Sequence, residues 1–235
     1  MTIEEVNYDE CVRMANKMAE ETENGVMVQD TAWDGYEKIP TWIMQGYGTM
    51  ALEASAQLRE ASIERPTHVF VQAGVGSLAG AGIGYFANLY PDNPPIMTVV
   101  EAQAADCLYK SAIEKDGKIR FVEGDLQTIM AGLACGEPNT ISFDILENHT
   151  AFFVSAPDWV SEKGMRMLGA PIKGDPQVIS GESGAVAMGV VAAAMKDPEY
   201  QPLREALKLD EQSTVLMFST EGDTDPDNYK KILWR

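Results

Sequence analysis

Apolar residues recur at helical spacing near the start of the chain. In residues 7–21, Tyr8, Cys11, Val12, Ala15, Met18 and Ala19 are separated by charged side chains, the pattern of an amphipathic helix. Asn24-Gly25 supplies its stop. The period then shortens: Val26-Met27-Val28 reads as a short apolar strand that delivers Gln29 and Asp30 at its C-terminal end. Residues 30–36 form a polar-aromatic loop. A long helix is predicted over 41–63, with Thr41 as its cap. Gly46 and Gly48 fall within one turn of it, which predicts a neighbour close against the backbone, either another helix or a ligand.

Four later stretches are continuously apolar rather than alternating: 68–71, 96–100, 152–155 and 214–218. Such runs belong to strands covered on both faces, as in a parallel sheet. Helical patterns separate them at 77–90, 106–115, 158–167, 186–195 and around 203–207, and a short helix closes the chain at 227–234. Residues 124–148 read as loop-rich, with no assignable chemistry. Alternating helices and buried strands place the chain in the α/β class, a mainly parallel open sheet with helices on both faces. No internal repeat or low-complexity segment is visible.

Composition narrows the function classes. The 235 residues allow one large domain or two small ones. A formal net charge of −18 argues against nucleic acid or an anionic membrane as partner, since both repel it. Cys11, Cys107 and Cys135 show no metal-ligand spacing; they read as free intracellular thiols, with a Cys107–Cys135 bridge as the open alternative. The acidic N-terminus MTIEEVNYDE lacks the apolar core of a signal peptide, and no apolar run approaches a bilayer-spanning length. A cytoplasmic location is expected.

Candidate chemistry concentrates at strand ends. HVFVQAGVGSLAGAGIG, residues 68–84, is a strand that turns through glycines into a small-residue helix. Its first turn presents unpaired N–H groups and the positive end of the helix dipole, a site for an anion such as phosphate. Gly74 and Gly76 lack the Cβ that would hold a phosphate off the backbone, and Ser77 is placed to cap the helix and offer a hydroxyl. The spacing is neither a dinucleotide fingerprint nor a P-loop. A tight strand-to-helix turn, with glycines for packing, is the competing reading. Asp30 stands either as a carboxylate at the ligand edge or as an Asx-turn residue. Glu182 sits where a helix dipole favours an acid. Ser219-Thr220-Glu221-Gly222-Asp223-Thr224-Asp225 forms a second strand-end cluster.

Three of these stretches carry a resemblance: QDTAWDGYEKIPTWIMQGYGTM (29–50), PTHVFVQAGVGSLAGAG (66–82) and STEGDTD (219–225). They resemble the C-terminal part of fold-type II, tryptophan synthase β-like pyridoxal-phosphate enzymes, and within them the diaminopropionate ammonia-lyases. The resemblance implies that Gly74, Val75, Gly76, Ser77 and Leu78 hold the cofactor phosphate. It implies that Ser219, with Thr220 as its substitute, faces the pyridine nitrogen, and that Glu182 lies near the ring and the reacting Cβ. Asp30 corresponds to the acid that takes the Cα proton, with Asp34 close enough to compete. The implied reaction is α,β-elimination of 2,3-diaminopropionate to pyruvate and ammonia. Residues 1–36 correspond to the tail of a small domain and 37–235 to the C-terminal part of the large, cofactor-binding domain.

The family's Schiff-base lysine has no evident counterpart. The eleven lysines sit mostly beside acids or on polar faces, without the apolar setting that prepares a lysine for imine chemistry; Lys173 is the nearest candidate and a poor one. A partial or split gene product is therefore expected, truncated at its N-terminus, assembling as a homodimer and needing an N-terminal half from another chain, with apolar surface exposed in its absence. Serine or threonine dehydratase-like activity, threonine synthesis and non-catalytic binding of a phosphorylated ligand are the alternatives.

Overall fold

The computed structural model describes residues 5–234. Residues 1–4, where the expected small-domain tail and the acidic N-terminal stretch begin, and residue 235, where the expected large-domain part ends, lie outside the described residues. Four strands, β1 (His68–Gln72), β2 (Ile96–Ala102), β3 (Phe152–Ala156) and β4 (Val215–Met217), form one sheet in the order β3-β2-β1-β4. Every pairing is parallel, with Phe70 opposite Thr98 on one side and Met217 on the other. The inner strand β1 is buried along its whole length, because both its faces are covered. Val69, Val71, Met97 and Val99 point to one apolar cluster, and Phe70 and Val100 to the other.

The first face is covered by α2 (Lys38–Glu60), α3 (Ser77–Leu89), α4 (Cys107–Ile113) and α5 (Thr140–His149). The second is covered by α6 (Asp158–Gly169), α7 (Glu182–Lys196) and α8 (Gln201–Leu207). α6 and α7 approach closely at glycines: a Cβ on Gly164 would lie 2.1 Å from the Ala185 carbonyl, and one on Gly189 would lie 1.8 Å from that of Val160. α9 (Pro226–Leu233) packs Tyr229 and Ile232 against Met165 of α6. α1 (Tyr8–Glu21) is capped by Asn7, which accepts from the Glu10 amide, and is tied to the body where Asp9 accepts from the Gly136 amide at 2.8 Å.

Four expectations need correction. Residues 26–28 form no strand: Val26 and Val28 are 68% and 70% exposed, and a strand without a ladder partner or a buried face has nothing to hold it. The long helix begins at Lys38 rather than Thr41; Glu37 is its cap, and the Thr41 hydroxyl donates back to the Glu37 carbonyl. Pro40 is tolerated because the amide it lacks would have had no intrahelical acceptor in the first turn. Gly46 and Gly48 have open space, with nothing within 4 Å of a built Cβ, so no backbone neighbour explains them. Residues 140–149 of the supposed loop region are helix α5, capped by Asn139, which accepts from the Ser142 amide. Trp42 and Leu52 of α2 are 57% and 56% exposed. Among the described residues no helix is long and apolar enough to cross a membrane.

Candidate active site

The strand order reverses beside β1: β2 and β3 lie to one side and β4 to the other. In open parallel sheets, ligand crevices form beyond the strand C-termini at such a point. A cavity of about 490 Å³ occupies that place. It is lined by residues 72–79 after β1, by Thr220 and Glu221 after β4, and by Tyr8, Asp30 and Tyr47 from the N-terminal segment.

The wall after β1 is made of backbone. Gly76 has φ +100 and is the cap of α3, so Ser77 is the first helical residue rather than the cap. A Cβ on Gly76 would meet Ser142 Oγ at 2.8 Å. The amides of residues 76–79 find no acceptor among the described residues, and no side chain caps the helix. Ser77 does not offer its hydroxyl hydrogen outward: its Oγ donates to the Asp30 carbonyl at 2.7 Å and accepts from Asn139 Nδ2 at 2.8 Å. Asn139 also donates to the Asp30 carbonyl, at 2.6 Å. That knot ties the cap of α5, the start of α3 and the loop at residue 30 together, and sets the Asp30 carboxylate at the cavity.

Burial pushes the Asp30 carboxyl above the usual carboxylate range, opposed by the Tyr47 hydroxyl, which donates to Oδ2 at 3.0 Å. The Tyr47 phenol is itself pushed up to about 12, first by burial and then by the Asp30 charge. Tyr8 also lines the cavity, and burial raises its phenol strongly, with Cys135 and Asp30 adding to the shift. Asp34, by contrast, is exposed and lines no part of the cavity; its side chain lies outside the Asp30 knot.

At the other wall the structure separates the two hydroxyls of the β4 end. Ser219 and Thr220 are both exposed, but of the two only Thr220 lines the cavity. Glu182 is buried at the start of α7, but its carboxylate accepts from Asn228 Nδ2 at 2.5 Å and it does not line the cavity. The acid at that wall is Glu221, which accepts from the amides of Ser183 at 2.6 Å and Gly184 at 3.4 Å. Cys107 and Cys135 are free and buried, with Cys107 Sγ donating to the Cys135 carbonyl at 3.4 Å. No lysine lines the cavity among the described residues, and Lys173 is exposed.

Amide donors at one wall and a hydroxyl at the other suit a ligand that carries an anionic group, held without a nearby cation against the chain's overall negative field. A family model described as pyridoxal-phosphate dependent enzyme matches residues 2–220. The chain belongs to the pyridoxal-phosphate dependent enzymes. Within them, the diaminopropionate ammonia-lyase of Salmonella typhimurium is 52% identical over 234 residues, 99% of this chain and 58% of the relative. That of Escherichia coli K12 is 49% identical over 232 residues, 99% and 57% of the two chains. A crystal structure of the Escherichia coli enzyme, in complex with an aminoacrylate-PLP azomethine reaction intermediate, superimposes with a TM-score of 0.89 at 48% identity and covers 98% of this chain and 58% of that one. The maize serine racemase structure, at 20% identity and a TM-score of 0.62, shares the fold over 81% of this chain and 51% of that one. The chain thus spans 58% of the length of the Salmonella relative.

The donor set on the page fits the family's cofactor: amides without acceptors at the start of α3 and the Thr220 hydroxyl line one cavity. The sequence signal missed Tyr8, Tyr47, Gln72 and Asn139, and held Glu221 only as one acid of the second strand-end cluster. Asn139 was findable, as an Asn three residues before Ser142 and just ahead of the apolar spacing of Phe143 and Leu146. The others reach the cavity only through tertiary packing.

Proposed function

We propose that this chain forms the phosphate and ring-nitrogen side of a site for α,β-elimination of 2,3-diaminopropionate to pyruvate and ammonia. The supporting observation is that the glycine loop, Thr220 and the Asp30 carboxylate line a single cavity. Pyridoxal 5'-phosphate, when bound, supplies the electron sink that stabilises negative charge at Cα. The amides of residues 74–78 bind its phosphate and orient the ring. Thr220, a neutral partner, leaves the ring nitrogen unprotonated and so moderates that sink, which suits elimination. Asp30 accepts the Cα proton; burial strengthens its hold on that proton, and a base is most effective when its pKa approaches the working pH. Tyr47 keeps Oδ2 in place.

The lysine that anchors the cofactor comes from polypeptide outside this sequence, and buried free thiols at Cys107 and Cys135 suit a reducing, cytoplasmic setting. The lack of a lysine at the cavity favours a second reading, saturable binding of a phosphorylated ligand without turnover.

Adding pyridoxal 5'-phosphate, reducing with borohydride and mapping the label separates these readings, together with a pyruvate assay before and after supplying the lysine-bearing half of a relative. The proposal expects no labelled lysine in this chain alone, pyruvate only after reconstitution, and loss of pyruvate in Asp30→Asn. A specifically labelled lysine with ammonia release from the isolated chain overturns the division of labour. Reconstituted turnover of serine in place of 2,3-diaminopropionate overturns the substrate.

A further inference from the structure

The ladder between β1 and β4 stops at Phe70 and Met217, two residues short of the β1 end. Gln72, the last residue of β1 and only 2% exposed, bridges the gap with its side chain. Its Nε2 donates to the Phe218 carbonyl at 2.8 Å and to the Thr220 hydroxyl oxygen at 2.9 Å. Its Oε1 is buried with no donor among the described residues. The amide cannot be turned over, since a carbonyl oxygen such as that of Phe218 only accepts and would then face another acceptor. Both Gln72 amide hydrogens are thereby committed.

We infer that Gln72 is a positioning residue that fixes the Thr220 hydroxyl as a donor into the cavity. This rests on the reading of Thr220 as the partner of the ring nitrogen. A hydroxyl has one hydrogen. Once its oxygen accepts from Gln72, that hydrogen points away from the incoming N–H. The Thr220 hydroxyl finds no other acceptor among the described residues, and the cavity is what it lines. A donor held there bonds a neutral ring nitrogen and opposes its protonation. Without Gln72 the hydroxyl is free to turn toward the unpaired Phe218 carbonyl and to present lone pairs to the ring instead. Gln72 thus acts on the protonation state of the heterocycle through Thr220, at the edge of the cavity that both residues line.

The test uses pyridoxine 5'-phosphate labelled with ¹⁵N in the ring, which needs no lysine to bind, and reads the ring-nitrogen shift against pH. In the unaltered chain the bound nitrogen stays neutral to a lower pH than in free solution. In Gln72→Met the titration moves up by about one pH unit, the worth of one oriented hydrogen bond. Thr220→Val moves it by the same amount, and the double variant moves it no further. Additive shifts, or a shift in Thr220→Val with none in Gln72→Met, overturn the inference and leave the site reading standing. A probe that does not bind, or a titration unmoved by Thr220→Val, overturns the site reading and this inference with it. Should Gln72→Met not fold, hydrogen exchange of the Gln72 side-chain amide carries the test. Two slow protons are expected in the unaltered chain, and one becomes fast in Thr220→Val. Two fast protons in the unaltered chain overturn the inference.

Discussion

Gly76→Ala strikes the glycine loop where geometry leaves least freedom. Gly76 holds φ +100 as the cap of α3, a conformation that costs an L-residue with a Cβ about 1–2 kcal/mol. The new methyl would lie 2.8 Å from Ser142 Oγ, 3.2 Å from Leu108 Cδ1 and 3.3 Å from Leu146 Cδ1. Ser142 Oγ cannot retreat cheaply, because it donates to the Asn139 carbonyl at 3.0 Å, and Asn139 holds the Asp30 loop. Overpacking of such a buried site costs about 1–3 kcal/mol. Together the two terms predict a loss of roughly 2–5 kcal/mol in urea unfolding at unchanged m-value. Affinity for pyridoxine 5'-phosphate should fall at least about tenfold, since the cradle amides shift with the turn. Gly46→Ala is the matched control: a built Cβ there meets nothing within 4 Å in an exposed helix interior, so a gain of about 1 kcal/mol is expected. A loss under about 0.5 kcal/mol in Gly76→Ala with unaltered binding refutes the loop geometry and the phosphate assignment together.

In Tyr47→Phe the Asp30 carboxyl loses the hydrogen bond that opposes its burial; its titration, followed by ¹³C resonance, should move to higher pH, and movement to lower pH contradicts the arrangement. Glu101 is fully buried and accepts from the amides of Leu108 and Tyr109, yet burial pushes its carboxyl from 4.5 up to about 8. The folded chain therefore keeps a proton that the unfolded chain has released, so stability should fall as pH rises from about 4.5 to 8. Glu101→Gln should flatten that slope, and an unchanged slope by urea unfolding argues against it. A thiol reagent should titrate only Cys11 in the folded chain and all three cysteines after unfolding; one thiol after unfolding would instead reveal a Cys107–Cys135 bridge. Glu221→Ala should cost about 1 kcal/mol through the lost α7 amides and alter probe affinity, whereas Glu182→Gln should leave that affinity unchanged.

Much of the fold was legible because parallel strands leave a mark: HVFVQ and IMTVVEA are buried runs with no room for an alternating face, and FFVSA keeps a non-alternating pattern although four of its five residues are only half-buried. α5 was hidden by the glycines and prolines just ahead of it, although its Asn139 cap and the Phe143–Leu146 spacing were present. Residues 26–28 misled in the opposite way, since β-branched composition without a ladder partner does not make a strand. At the site, the glycine loop could be read locally, because strand, turn and helix start are contiguous. Which of Ser219 and Thr220 faces the cavity could not: that depends on where β4 leaves the sheet, beyond which Gln72 reaches across from β1 to the Phe218 carbonyl and Thr220. Glu182 and Glu221 were likewise indistinguishable until α9 brought Asn228 to one of them. Tyr8 and Tyr47 sit on helices whose own patterns show only amphipathicity.

The central claim is that one cavity takes the phosphate at residues 74–78 and the ring at Thr220. Titrating pyridoxine 5'-phosphate, with pyridoxine as the phosphate-free control, into uniformly ¹⁵N-labelled chain tests it most directly. Backbone amides of Val75, Gly76, Ser77 and Leu78 should shift saturably with that of Thr220, and pyridoxine should move the loop amides far less. Equal shifts with both compounds, or saturable shifts confined to another face of the sheet, would contradict the claim.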